Sequence, residues 1–131
     1  MLIADKNKFQ CVTIERSLRA LGYHAIASVL SFRELLSLTH YSCEPFEHFD
    51  LLIINGEMLA SAGADPYRFF VSNSQVRHGL IHDARRGQQQ PEVLYSHGQR
   101  NLSLVRTADQ QSISDFLQGL DGWSARQRIY S

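Results

Sequence analysis

The run Phe49-Asp50-Leu51-Leu52-Ile53-Ile54 is apolar enough for a strand buried on both faces, and it ends on Asn55-Gly56. In an open α/β sheet, ligands and chemistry sit at the carboxyl ends of the strands, so Asn55 occupies a functional address. Its side chain is an amide, whose nitrogen and oxygen are poor nucleophiles. The other chemistry-bearing residues make weaker cases. His82 and Asp83 suggest an acid–base pair, yet neighbours on a strand point to opposite faces. His40, Cys43, Glu44, Glu47 and His48 carry the atoms that zinc takes. Their spacing fits no common zinc pattern, and a polar loop produces such groupings by chance. Cys11 reads as a small core residue on a helix. The chain has no G-x-S-x-G elbow and no phosphate-cradling glycine loop. The expectation is no catalysis, no resident metal and no cofactor.

The elements that would position Asn55 follow from periodicity. Leu2-Ile3-Ala4 is a short strand, and Asp5-Lys6-Asn7 is a polar turn. Cys11, Ile14, Leu18 and Leu21 recur at helical steps over Lys8–Leu21, and Gly22 stands where a helix ends. His24–Leu30 predicts a second strand. Ser31 is a suitable N-cap for a helix from Phe32, with Glu34 in its first turn. His40–His48 reads as a loop before the buried strand. Ala60–Asp65 is small and polar, again a loop, and Pro66 can open a short helix. Arg77–His82 is a fourth strand, Leu102–Val105 a fifth, and Asp109–Leu120 a last amphipathic helix. Alternating strands and helices predict a parallel sheet covered on both faces.

The chain has 131 residues, the length of one domain with a real core, and 44% of them are apolar. Thirteen basic and thirteen acidic side chains cancel, which excludes the electrostatic footprint of a nucleic-acid binder. No apolar run is long enough to span a bilayer, and no secretory pattern opens the chain. Two cysteines are too few for a disulfide framework. Cytoplasmic residence is expected, with no membrane or nucleic-acid partner.

Several motifs together carry a family likeness. Met1–Tyr23 combines a strand, an acidic turn and a helix ending in Leu21-Gly22-Tyr23. The buried strand has Met58 three residues beyond Asn55, and the fifth strand leads through Arg106 into the final helix. With these features residues 1–121 resemble a response-regulator receiver domain, and 122–131 read as a tail or the start of a linker. Trp123-Ser124-Ala125-Arg126 would open that linker if an output domain follows. The resemblance implies a flavodoxin-like α/β fold: a five-stranded parallel sheet of order 2-1-3-4-5 with helices on both faces. The fourth-helix region, Arg85–Asn101, holds Gly87, three glutamines, Pro91 and Gly98. A shortened or irregular helix is expected there.

An active receiver uses two carboxylates after the first strand and an acceptor aspartate to hold magnesium, which demands hard oxygen ligands. In this chain the first pair is Asp5-Lys6, and the acceptor position is Asn55. The hydroxyl position of the fourth strand is Asp83, or His82 if the register slips by one. Arg106 stands for the family's lysine, Thr107 for its proline, and Ser103 for its aromatic switch. The likeness therefore implies a degenerate receiver of a bacterial two-component-type signalling protein, acting by phosphorylation-independent protein contacts. A homodimer through the fourth helix, fifth strand and fifth helix is the expected partner mode. A small-ligand or ion sensor using the former phosphorylation pocket is one alternative. A residual phosphohydrolase or phosphotransferase is another. Lys6 and Arg106 either pair with Asp5 and Asp83 in a remnant acidic pocket, or Lys6 points into solvent. Asn55→Asp alone should recover little magnesium affinity, because Lys6 still opposes the cation. Adding Lys6→Asp should recover binding measurable by calorimetry. Equal affinity in the single and double variants would show that Lys6 does not govern the site.

Overall fold

The computed structural model describes residues 1–39, 49–85 and 90–120. The His40–His48 grouping and the expected tail at 122–131 lie outside them. In chain order the elements are β1 (Leu2–Ala4), α1 (Lys8–Ala20), β2 (Ala27–Val29), α2 (Phe32–Thr39), β3 (Phe49–Asn55) and α3 (Gly56–Ser61). Then come α4 (Pro66–Val71), β4 (Val76–His82), β5 (Glu92–His97), β6 (Arg100–Val105) and α5 (Gln110–Gln118). The strands form one sheet of order β2-β1-β3-β4-β6-β5. All neighbouring pairs are parallel except β5 with β6.

Local signals explain the helix ends. Asn7 caps α1 by accepting from the amides of Phe9 and Gln10. Gly22, at φ +99°, leaves the helix in the left-handed region. Ser31 accepts from the Glu34 amide at 3.1 Å, and Asp65 caps α4 ahead of Pro66 at its first turn. Side-chain alternation along the strands then builds two cores. Ile3, Leu51, Ile53 and Leu80 meet Cys11, Ile14 and Leu18 of α1 and Ile113 and Leu117 of α5. On the other face Leu2, Ala4, Leu52, Ile54 and Ile81 meet Leu35 of α2, Met58 and Leu59 of α3, and Phe70 of α4. Among the described residues no helix is long and apolar enough to cross a membrane.

The expected five-stranded order is corrected by a sixth strand. In place of a shortened fourth helix, residues 92–97 form β5, which returns through a two-residue turn to pair antiparallel with β6. His97 faces Arg100 across Gly98-Gln99, and Gly98 has φ +62°, the backbone that a type II′ hairpin asks of its first loop residue. A bulge between Val93 and Tyr95 lets Leu94 and Tyr95 both pack against the α4 side of the sheet. Tyr95 meets the rings of Tyr67 and Phe70 edge-on, with centroids 5.8 and 5.7 Å away. Arg100 locks the hairpin down: its guanidinium donates to the carbonyls of Phe70, Asn73 and Val76 and lies 4.3 Å over the Phe70 ring. A short helix α3 also opens at Gly56, where the sequence reads as a turn, and it takes Ala60 and Ser61 from the start of the expected Ala60–Asp65 loop.

β4 carries a buried imidazole. His78 lies within the sheet with Nδ1 3.4 Å from Asn101 Nδ2. Burial pushes its pKa down to about 4, and the charges of Arg77 and Arg100 add to this while Asp50 opposes it. A folded-state pKa below the unfolded one means that stability is present above about pH 6.5 and is lost as pH falls toward 4. Urea midpoints should therefore fall across that window. His78→Gln should flatten the dependence.

Candidate functional site

The carboxyl ends of β1, β3 and β4 converge on a polar cleft of about 270 Å³, lined by Asp5, Asn7, Gln10, Asn55, Glu57, His82, Ala84, Arg106, Thr107 and Ala108. Register places these ends together: Ala4 pairs with Ile54, and Asn55 with His82. Asp5 follows β1 directly and is buried, 2% exposed. Its Oδ1 accepts from the Asn7 amide at 2.9 Å. Its Oδ2 accepts from Asn55 Nδ2 at 3.3 Å. Such bonds are what a buried carboxylate requires. Asn55 works in two directions, because its Oδ1 also accepts from the Glu57 amide at 2.9 Å and so caps α3.

His82 completes the floor. It is 6% exposed, its Nε2 lies 3.6 Å from Asp5 Oδ2, and that nitrogen has no hydrogen-bond partner among the described residues. Burial lowers its pKa, with Asp5, Asp83 and Glu57 opposing. The ring is therefore neutral at neutral pH.

Asp83 turns the other way. Its carboxylate takes a two-pronged contact from Arg85, Nε to Oδ1 at 2.9 Å and an Nη to Oδ2 at 2.8 Å, and this holds it below the usual carboxylate range. A Cβ on Gly56 would sit 2.7 Å from Asp83 Oδ2, so glycine at 56 admits this side chain. Glu57 stands 3.9 Å from the same guanidinium.

Sequence reasoning brought Asp5, Asn55 and Arg106 to one cleft, and the structure does the same. The expected pairing of Lys6 and Arg106 with Asp5 and Asp83 is not formed. Lys6 and Arg106 are exposed, Arg106 at the cleft rim, and neither makes an ion pair with a described residue. Asp83 is held by Arg85 instead, and His82, the slipped-register alternative, is the β4 residue that faces Asp5. Arg85 was missed because a cation two residues along an irregular turn has no periodic signature. Asn7 belongs to the expected polar turn, yet its link to Asp5 depends on the turn's geometry. Ser103, at the expected switch position, is buried on β6.

Magnesium does not fit this floor. The ion wants several oxygen ligands in an octahedron. Among the described residues Asp5 is the one buried carboxylate in the cleft, both its oxygens are engaged, Asn55 Oδ1 is spent on the helix cap, and an imidazole stands close by. No family model matches the chain, nor does a curated protein or a solved structure. The receiver likeness thus rests on the sequence motifs alone.

Asp5 is the hub of the cluster. Asp5→Ala would leave the Asn7 amide and Asn55 Nδ2 without their acceptor and should lower stability by about 1–3 kcal/mol in urea unfolding. Asp5→Asn, which keeps the shape and one acceptor oxygen, should cost less. A change within roughly ±0.5 kcal/mol for the alanine variant would mean that water replaces the carboxylate freely.

Proposed function

We propose that this chain is a degenerate receiver of a two-component-type signalling protein, one that works through protein contacts and carries no phosphoryl chemistry. The observation behind this reading is Asn55: an amide stands at the carboxyl end of β3, with one end bound to Asp5 and the other committed to α3. A phosphoryl acceptor there would need a free carboxylate and hard oxygen ligands for magnesium, whereas residue 55 is an amide and an imidazole stands beside Asp5. The domain is on this reading not an enzyme.

The contact we favour is with a second copy of the chain. β5 is the outermost strand of the sheet, and Val93 on it is 65% exposed. An edge strand presents unpaired backbone groups to another strand. Antiparallel pairing of two β5 strands about a two-fold axis between Leu94 and Tyr95 sets Val93 opposite Ser96. The same register sets Glu92 opposite His97. Symmetric dimers are the commonest oligomers, and such a dimer would run the two sheets into one. This moves the expected dimer face from a fourth helix to the hairpin that replaces it.

Two measurements test the reading. Incubation with a small acyl phosphate and magnesium should leave no alkali-labile phosphoryl group on residue 55, and its appearance would overturn the proposal. Light scattering should show dimers whose proportion rises with concentration, and Val93→Lys should weaken them at least about tenfold by placing charge in the edge. A strict monomer at high concentration would move the contact to a different protein.

A further inference from the structure

A groove of about 480 Å³ lies between the β5–β6 hairpin and α5. Small-molecule sites commonly span about 300–1,000 Å³. Its walls are apolar, formed by Val93, Val105, Phe116 and Leu120. β6 supplies the floor, where alternation turns Asn101, Ser103 and Val105 to the same side. The Asn101 amide is already engaged: its Oδ1 accepts from Ser96 Oγ at 2.8 Å, and its Nδ2 lies 3.4 Å from His78 Nδ1. Ser103 is not. It is only 7% exposed and lines the groove, and its hydroxyl makes no hydrogen bond to a described residue. A hydroxyl held that far from solvent costs free energy until it is bonded.

The charge of the groove narrows its occupant. Asp115 is the one charged side chain among the described lining residues, and it is exposed at the mouth. Its Oδ1 accepts from Gln111 Nε2 at 2.8 Å, while its Oδ2 makes no bond to a described residue. A carboxylate with no cation beside it attracts an ammonium and repels an anion. From the apolar walls, the unspent Ser103 hydroxyl and this carboxylate, we infer that the groove binds a small aromatic amine with a polar hydrogen on its ring. The ring packs among Val93, Val105 and Phe116, its polar hydrogen bonds Ser103, and the ammonium meets Asp115. A flat ring suits such walls, because it brings a large apolar area with few rotatable bonds to freeze. The inference does not rest on the receiver reading, since the groove shares no residue with the Asp5–Asn55 cleft.

The test is an NMR titration of the full chain, labelled with nitrogen-15, with tryptamine as the probe. Indole-3-acetate, which has the same ring and the opposite charge, is its comparison. Tryptamine should give saturable shifts centred on the amides of Ser103, Val105 and Phe116, and it should bind at least about tenfold more tightly than indole-3-acetate. Ser103→Ala should weaken tryptamine about fivefold, the loss expected for one hydrogen bond. Asp115 is exposed, so Asp115→Asn leaves the fold in place; it should remove the preference for tryptamine over indole-3-acetate, an effect that a structural role would not produce. No saturable binding at millimolar probe, equal affinity for the two compounds, an unchanged preference in Asp115→Asn, or shifts centred on the Asp5–Asn55 cleft would overturn the inference. Nuclear Overhauser contacts from Trp123 to Phe116 without probe would assign the groove to the chain's own C-terminal segment and overturn it as well. Groove shifts produced by raising the protein concentration alone would assign it to a second copy, with the same consequence. A phosphoryl adduct on residue 55 would overturn the receiver reading alone.

Discussion

The structure depends on a strand that must be buried on both faces. Leu51, Leu52, Ile53 and Ile54 are all within 2% of full burial, and β3 pairs parallel with β1 on one side and β4 on the other. Because successive side chains alternate, such a strand cannot be satisfied by a single layer of helices. α1 and α5 take one face, and α2, α3 and α4 take the other. Parallel neighbours also bring their carboxyl ends to the same edge. Asp5, Asn55 and His82 meet there as a consequence of satisfying the core.

At that edge the chain solves a solvation problem with amides. A buried carboxylate must be hydrogen-bonded, and Asp5 draws its bonds from the Asn7 backbone and the Asn55 side chain. Asn55 in turn ties the carboxylate to the start of α3 through the Glu57 amide. One residue therefore links β1, β3 and a helix, in a position where an acidic acceptor would have had to face Asp5 as a like charge. His82 is the part of the floor that this solution leaves over.

The far side of the sheet follows a different constraint. Pro91 and Gly98 both disfavour a helix over the stretch ahead of β6. It returns as β5, and Arg100 fastens the hairpin through three carbonyls and the Phe70 ring. An apolar-lined groove of about 480 Å³, with Val93, Val105, Phe116 and Leu120 in its walls, remains between the hairpin and α5. On this side the described part of the sheet presents a strand edge and a groove.

What the sequence alone determined is whatever depends on residues near one another in the chain. The 3.6-residue recurrence of Cys11, Ile14 and Leu18, the cap at Ser31, Pro66 at its helix start and the apolar run of β3 all specify their own elements. They also place Asp5, Asn55 and the start of α5 beside Arg106 on one edge of an α/β sheet. β5 was not legible: Gly87, Pro91 and Gly98 pointed to a shortened or irregular helix over this stretch. Its choice of strand was settled by the open edge of β6, where Leu94 and Tyr95 could bury against Phe70. The same holds for the site. Which of His82 and Asp83 turns inward, and whether Asp83 finds Lys6 or Arg85, depends on inter-strand register and on the turn after β4. Those are long-range hydrogen-bonding and packing decisions, and no local spacing encodes them.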